Sequence, residues 1–221
     1  MIRRLNAGNR IHFIPGIGIQ VITPRAAAKW WLTGGISPEY CIGAYHAGAQ
    51  NYESSLINLV NPGVFTLTTP DGDIAWEYGV WHMQNKRFYI ANVNLPVGTA
   101  CFAFRNAGGG SGERLLYQFT GVTMWLQPLA TYVTGNYSWF RMNTSIPPQS
   151  SAACVQRRTS LWINSYYYSG GAPAIGTCTN VWCGSLNIAQ LDILCFAFYS
   201  VFLTDAQCVA LRDELLHLLE V

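Results

Sequence analysis

Eleven carboxylates, four histidines and seven cysteines are the side chains of this 221-residue chain that could do chemistry. Hydrolysis of a glycosidic bond with retention needs two carboxylates about 5 Å apart, one as nucleophile and one as general acid. The nearest grouping is Asp71-x-Asp73-x-x-x-Glu77, where Asp71-Gly72 reads as a turn and Glu77 stands an even number of residues from Asp73. Solvated, turn-forming carboxylates are the plain reading. His12, His46, His82 and His217 stand in no Ser or Cys plus acid constellation, and no G-x-S-x-G, phosphate-binding loop or H-E-x-x-H is present. The expectation is a protein that is not an enzyme.

Binding chemistry is better represented. In Leu161-Trp-Ile-Asn-Ser-Tyr-Tyr-Tyr-Ser169, strand alternation would put Trp162, Asn164, Tyr166 and Tyr168 on one face, with Leu161, Ile163, Ser165 and Tyr167 on the other. The first face could stack sugars and bond their hydroxyls. It could equally form a protein contact, where Tyr and Trp are enriched, or fill a core. The cysteine count is odd, so at least one is unpaired within the chain. Cys195 and Cys208 read as core residues. Cys178 and Cys183 bracket Thr-Asn-Val-Trp and could bridge across a hairpin; no His or second Cys pair stands near enough to suggest zinc.

These groups need a scaffold, and composition bounds it. Half the residues are hydrophobic but only 11% are charged, against about 25% in an ordinary soluble domain. Either a Ser/Thr/Asn-rich surface or cover by other subunits would account for that. The net charge is +2, and no basic run exceeds a pair such as Arg3-Arg4, Lys86-Arg87 or Arg157-Arg158, which argues against nucleic acid. No stretch approaches the ~18–20 apolar residues of a membrane span. Residues 1–29 read as an N-terminal extended arm with a short helix, Thr23 capping, Pro24 opening and Gly34 stopping it. A cleavable leader fits less well, because Asn6, Asn9 and His12 interrupt the start and Pro15, Gly16 and Gly18 break the apolar run. Residues 30–221 are long enough for one large all-β domain.

Short β-branched and aromatic runs predict strands at Val64–Thr69, Ile74–Trp81, Arg87–Val93, Thr99–Arg105, Arg114–Phe119, Val122–Gln127, Tyr137–Met142, Ala152–Arg157, Leu161–Tyr168, Val181–Leu186 and Leu191–Phe202. Thr204 and Gln207 form a capping box, after which Cys208, Leu211, Leu215 and Leu218 recur at helical spacing. The fold expected is all-β: a two-sheet antiparallel β-sandwich of jelly-roll type, with a short N-terminal helix and a C-terminal amphipathic helix.

The closing residues Ala197, Tyr199, Leu203, Thr204, Asp205, Ala206 and Gln207 match an "A-x-Y-x-x-x-L-T-D-A-Q" ending. Upstream, Trp30-Trp31-Leu32-x-Gly34-Gly35, Cys41-Ile42-x-Ala44-Tyr45 and Asn58-Leu59-x-Asn61-Pro62-Gly63 follow in order. The series, spanning about Trp30 to Leu219, resembles laminin-G-like domains of the concanavalin A-like lectin/glucanase superfamily, of the type found in phage and environmental viral proteins. The glucanases of that superfamily carry both carboxylates on one strand as E-x-D-x-x-E or a close variant, which this chain has nowhere. Calcium is common at the rim of laminin-G-like domains; Asp71, Asp73 and Asp192 are candidates, but no spacing selects a set, so no cofactor is expected. The resemblance implies a non-catalytic structural or interaction protein of a phage-like virion: a capsid decoration, cement or tail-associated subunit. Its partners would be coat or tail proteins and copies of itself. The alternative is a carbohydrate-binding, lectin-like module, virion-borne or secreted, that attaches to cell-surface glycan.

Overall fold

The structure, a computed structural model, describes residues 10–14, 18–22, 29–77, 79–108, 114–119, 122–127, 130–135, 138–142, 151–157, 160–169, 177–184 and 190–220. Strands β1 (Arg10–Ile14) and β2 (Gly18–Ile22) pair antiparallel in a sheet of their own, so the stretch expected as an extended arm holds a hairpin. Two 3-10 turns, Trp30–Leu32 and Pro38–Tyr40, lead to β3 (Cys41–His46) and the one-turn helix α1 (Tyr52–Ser55). Then follow β4 (Ala75–Glu77), β5 (Val80–Gln84), β6 (Arg87–Ile90), β7 (Leu95–Pro96), β8 (Thr99–Gly108), β9 (Arg114–Phe119), β10 (Val122–Gln127), β11 (Ala130–Gly135) and β12 (Ser138–Met142). The chain continues through β13 (Ser151–Arg157), β14 (Ser160–Ile163), β15 (Tyr166–Ser169), β16 (Thr177–Cys178), β17 (Val181–Gly184) and β18 (Gln190–Tyr199) to the closing helix α2 (Asp205–Glu220).

The strands form an antiparallel sandwich. One sheet runs β12-β11-β10-β9-β17-β6; the other runs β15-β14-β13-β8-β18-β5-β4, with β3 also paired to β18. Alternation explains the shared core. Phe88 and Ile90 of β6 and Val181 and Cys183 of β17 pack against Trp81 and Met83 of β5, Phe102 and Phe104 of β8, and Ala152 and Cys154 of β13. On β18 a bulge between Ile193 and Cys195 resets the alternation. Leu191 and Ile193 therefore face the same core as Phe196 and Phe198, although the two pairs have opposite parity.

The outer face of the larger sheet is also covered. Cys101, Ala103, Ala153, Val155, Cys195 and Ala197 make a surface of mostly small side chains, onto which α2 sets Cys208, Leu211 and Leu215. Burying each leucine favours this packing by about 1.5–3 kcal/mol. Trp30 and Trp31 complete the layer, and the Tyr199 hydroxyl donates to the Trp31 carbonyl at 2.9 Å. The capping box forms as expected, with Thr204 N–H donating to Gln207 Oε1 at 3.0 Å and Gln207 N–H to Thr204 Oγ1 at 3.2 Å.

Several expectations change. The expected helix over Thr23–Gly34 falls partly on residues 23–28, outside the described residues; its end is the 3-10 turn at Trp30–Leu32. Gly34 does follow it at φ +79°, and a Cβ there would stand 2.9 Å from the Ala210 Cβ, so the glycine also lets α2 approach. Val64–Thr69 is not a strand; only Thr68 bridges to Tyr89. Ile74–Trp81 splits into β4 and β5, which turn back on each other with Gly79 at φ +77°. The motif around Asn58 is a loop that seals the edge of β3. The Ala44 and Val60 N–H groups donate to Asn58 Oδ1 at 3.2 and 3.0 Å, and Asn58 Nδ2 donates to the Ile42 and Val64 carbonyls at 3.1 Å each.

Candidate functional site

Trp162, Asn164, Tyr166 and Tyr168 do not lie along one strand. The chain reverses at Asn164-Ser165, with Asn164 at φ +50°, and β14 pairs with β15 so that Trp162 stands opposite Tyr167. Asn is among the few side chains that tolerate a left-handed conformation, and here it is also tied down, its N–H donating to the Ala153 carbonyl and its Oδ1 accepting the Ala153 N–H, each at 2.9 Å. Trp162 is a core residue, 3% exposed, with the Arg157 guanidinium 5.0 Å and the Tyr167 ring 5.0 Å from its ring centre. Arg157 also bonds the Leu203 carbonyl and Asp205 at the start of α2, so this cluster fastens the hairpin to the helix. The side chains of Tyr166 and Tyr168 lie outside the described residues.

The cysteines are buried thiols. No disulfide joins Cys178 and Cys183: Cys178 lies in β16 opposite Leu95 and its S–H donates to the Asn180 carbonyl at 2.9 Å, while Cys183 lies in β17 opposite Phe88. Burial pushes Cys41 and Cys208 up to about 12 and raises Cys101, Cys154, Cys183 and Cys195 as well. Protonated thiols are poor nucleophiles and poor ligands, so these are packing residues. His46 is lowered to about 4 by desolvation, and its Nδ1 accepts the Gly48 N–H at 2.8 Å, a turn-forming role.

A polar concavity lies elsewhere, on the outer face of the larger sheet. It is a cleft of about 310 Å³ lined by Asp73, Ala75, His82, Met83, Gln84, Lys86 and Asp192. Strand β5 alternates Trp81 and Met83 into the core, leaving His82 and Gln84 on the outer face. His82 pairs directly with Asp192 of β18, and its Nδ1 lies 2.8 Å from Asp192 Oδ1. A carboxylate can only accept, so Nδ1 carries a proton and donates this bond. Lys86, in the turn after β5, donates from Nζ to the Asp73 carbonyl at 2.7 Å.

Carboxylates, imidazole, amide and ammonium thus converge from the Asp71–Asp73 loop, β5, the turn after it and β18. No Ser, Thr or Cys lines the cleft. Among the described residues no group of three or more His, Cys, Asp or Glu side chains is arranged to hold a metal ion. What the cleft can do is exchange hydrogen bonds with a polar ligand.

Of the acidic residues singled out in the sequence, Asp73 and Asp192 meet at this cleft and Glu77 stands on β4 opposite Val80. Asp71 forms a two-pronged pair with Arg87, Nε to Oδ2 at 2.9 Å and Nη2 to Oδ1 at 3.2 Å, while Arg87 stacks 4.2 Å from the centre of Trp182. The hydrogen bond from Arg87 is the main cause that holds the Asp71 carboxyl below the usual carboxylate range. Its contribution to stability is complete above about pH 4 and is lost as the pH falls through the lowered value. Asp71→Asn should therefore lower stability by a constant amount above about pH 5 and by a shrinking amount as the pH falls further, flattening the acid limb, as measured by urea midpoints. An unchanged acid limb would show that the pair contributes nothing. His82, Gln84 and Lys86 were not foreseen as site residues. The alternation of β5 hints at a His–Gln face, but nothing local to the sequence pairs His82 with a residue 110 positions away.

Fold and cleft together define the class, an antiparallel β-sandwich with a polar cleft on the outer face of its larger sheet. No protein-family model matches the sequence, and no curated protein matches it. Solved structures do match in fold. The binding domain of botulinum neurotoxin DC, in complex with rat synaptotagmin II, is 10% identical, with a TM-score of 0.60 over 81% of this chain and 52% of that one. A botulinum neurotoxin type C structure, titled for cell entry through two ganglioside molecules, is 10% identical, with a TM-score of 0.56 over 82% of this chain and 52% of that one. Trypanosoma rangeli sialidase is 7% identical, with a TM-score of 0.60 over 77% of this chain and 32% of that one. The chain spans about half the length of the neurotoxin chains it matches. At these identities the likeness is one of fold.

Proposed function

We propose that this chain is a non-catalytic binding module that recognises a hydroxyl-rich ligand, a glycan, in the His82–Asp192 cleft. The observation that carries the reading is the convergence of donors and acceptors from four separate segments onto one concavity. Sugar hydroxyls both donate and accept, and such a mixed lining suits them. That structural neighbours include domains titled for ganglioside and receptor binding supports the reading. Loss of a hydrogen bond to a charged group costs about 1.5–3 kcal/mol. The His82→Ala, Asp192→Asn double variant should therefore weaken a glycan found by array screening at least about tenfold. Retained affinity in a folded double variant would remove the cleft from consideration.

A second reading, an assembly subunit, is favoured by where the exposed apolar side chains lie. Tyr40, Leu95 and Phe202 are 37%, 38% and 47% exposed, and Ile57, Leu59 and Val64 are 37–40% exposed along the loop that seals β3. Ser200 bonds the Tyr40 carbonyl and Gly98 packs on the Val201–Phe202 backbone, which puts the first three at one end of the sandwich. The stretches 56–70 and 193–204 carry no charge. Apolar exposure of this kind marks contact surfaces. With the resemblance to laminin-G-like domains of phage proteins, it supports a place in a virion, among coat or tail proteins or copies of the chain, with residues 1–29 as a docking arm. Light scattering should then give a defined oligomer that falls to monomer when residues 1–21 are removed. A stable monomer in both forms would end the assembly reading and leave the binding module.

A further inference from the structure

Resting on the glycan reading of the cleft, we infer that its ligand is an uncharged sugar and that sugars bearing a carboxylate are rejected. The charges decide this. Two carboxylates, Asp73 and Asp192, line the cleft with one ammonium, Lys86, and the Asp192 carboxylate lies 2.8 Å from His82 Nδ1. The Lys86 ammonium is folded back over the Asp71–Asp73 loop: it bonds the Asp73 carbonyl at 2.7 Å, and a Cβ on Gly72 would stand 3.1 Å from Nζ. It does not reach out as an anion receptor.

The stronger cation nearby, Arg87, is turned to the other side of the same loop. Asp71 takes it with two hydrogen bonds, and Trp182 stacks against its guanidinium. A second guanidinium, Arg105, stands opposite Asp192 in register on β8 but does not line the cleft. The Asp192 side chain is only 15% exposed, so a ligand carboxylate entering beside it would meet a poorly solvated like charge. A neutral hydroxyl meets the opposite situation, since it can donate to Asp192 or Asp73 and accept from Gln84.

Size narrows the class. A cleft of about 310 Å³ lies at the small end of ligand sites and suits roughly one or two sugar rings. Ala75 gives it an exposed apolar patch, for the C–H face of a ring.

The test pairs each neutral sugar with its acidic counterpart on the full chain. Lactose, maltose and chitobiose would be titrated calorimetrically beside sialyllactose and a glucuronic-acid-terminated disaccharide. At least one neutral sugar should bind at least about tenfold more tightly than either acidic one. Its affinity should change little between low and high salt, because no ion pair is formed. Asp73→Asn, which keeps the backbone carbonyl that holds Lys86, should narrow the neutral-to-acidic ratio. Acidic sugars binding as tightly as neutral ones, with that binding lost in His82→Ala, would overturn the charge argument and leave the glycan site standing. Failure of every sugar to bind, with the fold intact by circular dichroism, would overturn the site and this inference together.

Discussion

Asn58→Ala should cost about 3–4 kcal/mol of folding stability, more than any other polar substitution in the described residues. The side chain is fully buried and all four of its hydrogen-bonding positions are used. Two of its partners, Ala44 N–H and Ile42 C=O, belong to β3, and two, Val60 N–H and Val64 C=O, belong to the loop that covers it. The amide replaces the neighbouring strand that an edge would otherwise require, giving the edge both a donor and an acceptor. Alanine would leave four backbone groups without partners in a dry site. Their separate penalties of about 1–3 kcal/mol each would not simply add, since the loop can lift and admit water.

The comparison that isolates this cause is Asn61→Ala, in the same loop but exposed, expected to change stability by less than about 0.5 kcal/mol. Asn58→Asp should be no milder than alanine, because its second oxygen would face the Ile42 and Val64 carbonyls where an N–H₂ now donates. Urea denaturation would give all three values. Equal midpoints for Asn58→Ala and Asn61→Ala would show that the network is dispensable.

What could be read from the sequence follows the range of the interactions involved. The closing helix and its capping box depend on residues three and four apart, and Thr204, Gln207, Cys208, Leu211 and Leu215 behave as their spacing says. The sandwich was legible because alternation and turn residues are also local. Errors arose where one residue breaks the local rule. Asn164 turns what reads as one aromatic strand into a hairpin, which sets Trp162 in the core and on a different strand from Tyr166 and Tyr168. The bulge on β18 shifts inward-facing positions from odd to even within a single apolar run, where no hydropathy contrast marks the change. The cleft was hidden for a different reason. Asp192 and His82 each look like ordinary polar positions on a strand, and only the register between β5 and β18 makes them partners.

That register depends on the core beneath it, so Phe196→Ala is the substitution expected to do most damage. Phe196 sits three residues beyond the β5-paired part of β18 and is fully buried. Its ring lies 4.9 Å from Tyr45, 5.8 Å from Trp81, 6.1 Å from Phe88, 5.7 Å from Phe102 and 5.5 Å from Phe198, centre to centre. Phe88 belongs to the smaller sheet and the other four to the larger one, so this ring fills the space between the layers. Alanine would open a cavity that five large, rotamer-locked rings cannot collapse into, at a cost of about 3–5 kcal/mol. Leucine keeps most of the volume and should cost about 1–2 kcal/mol. Because Phe196 does not line the cleft, Phe196→Leu should bind the glycan as the parent does while melting earlier. A loss of affinity in that variant larger than its loss of stability can explain would mean that the His82–Asp192 pairing is held by core packing as well as by the strand register.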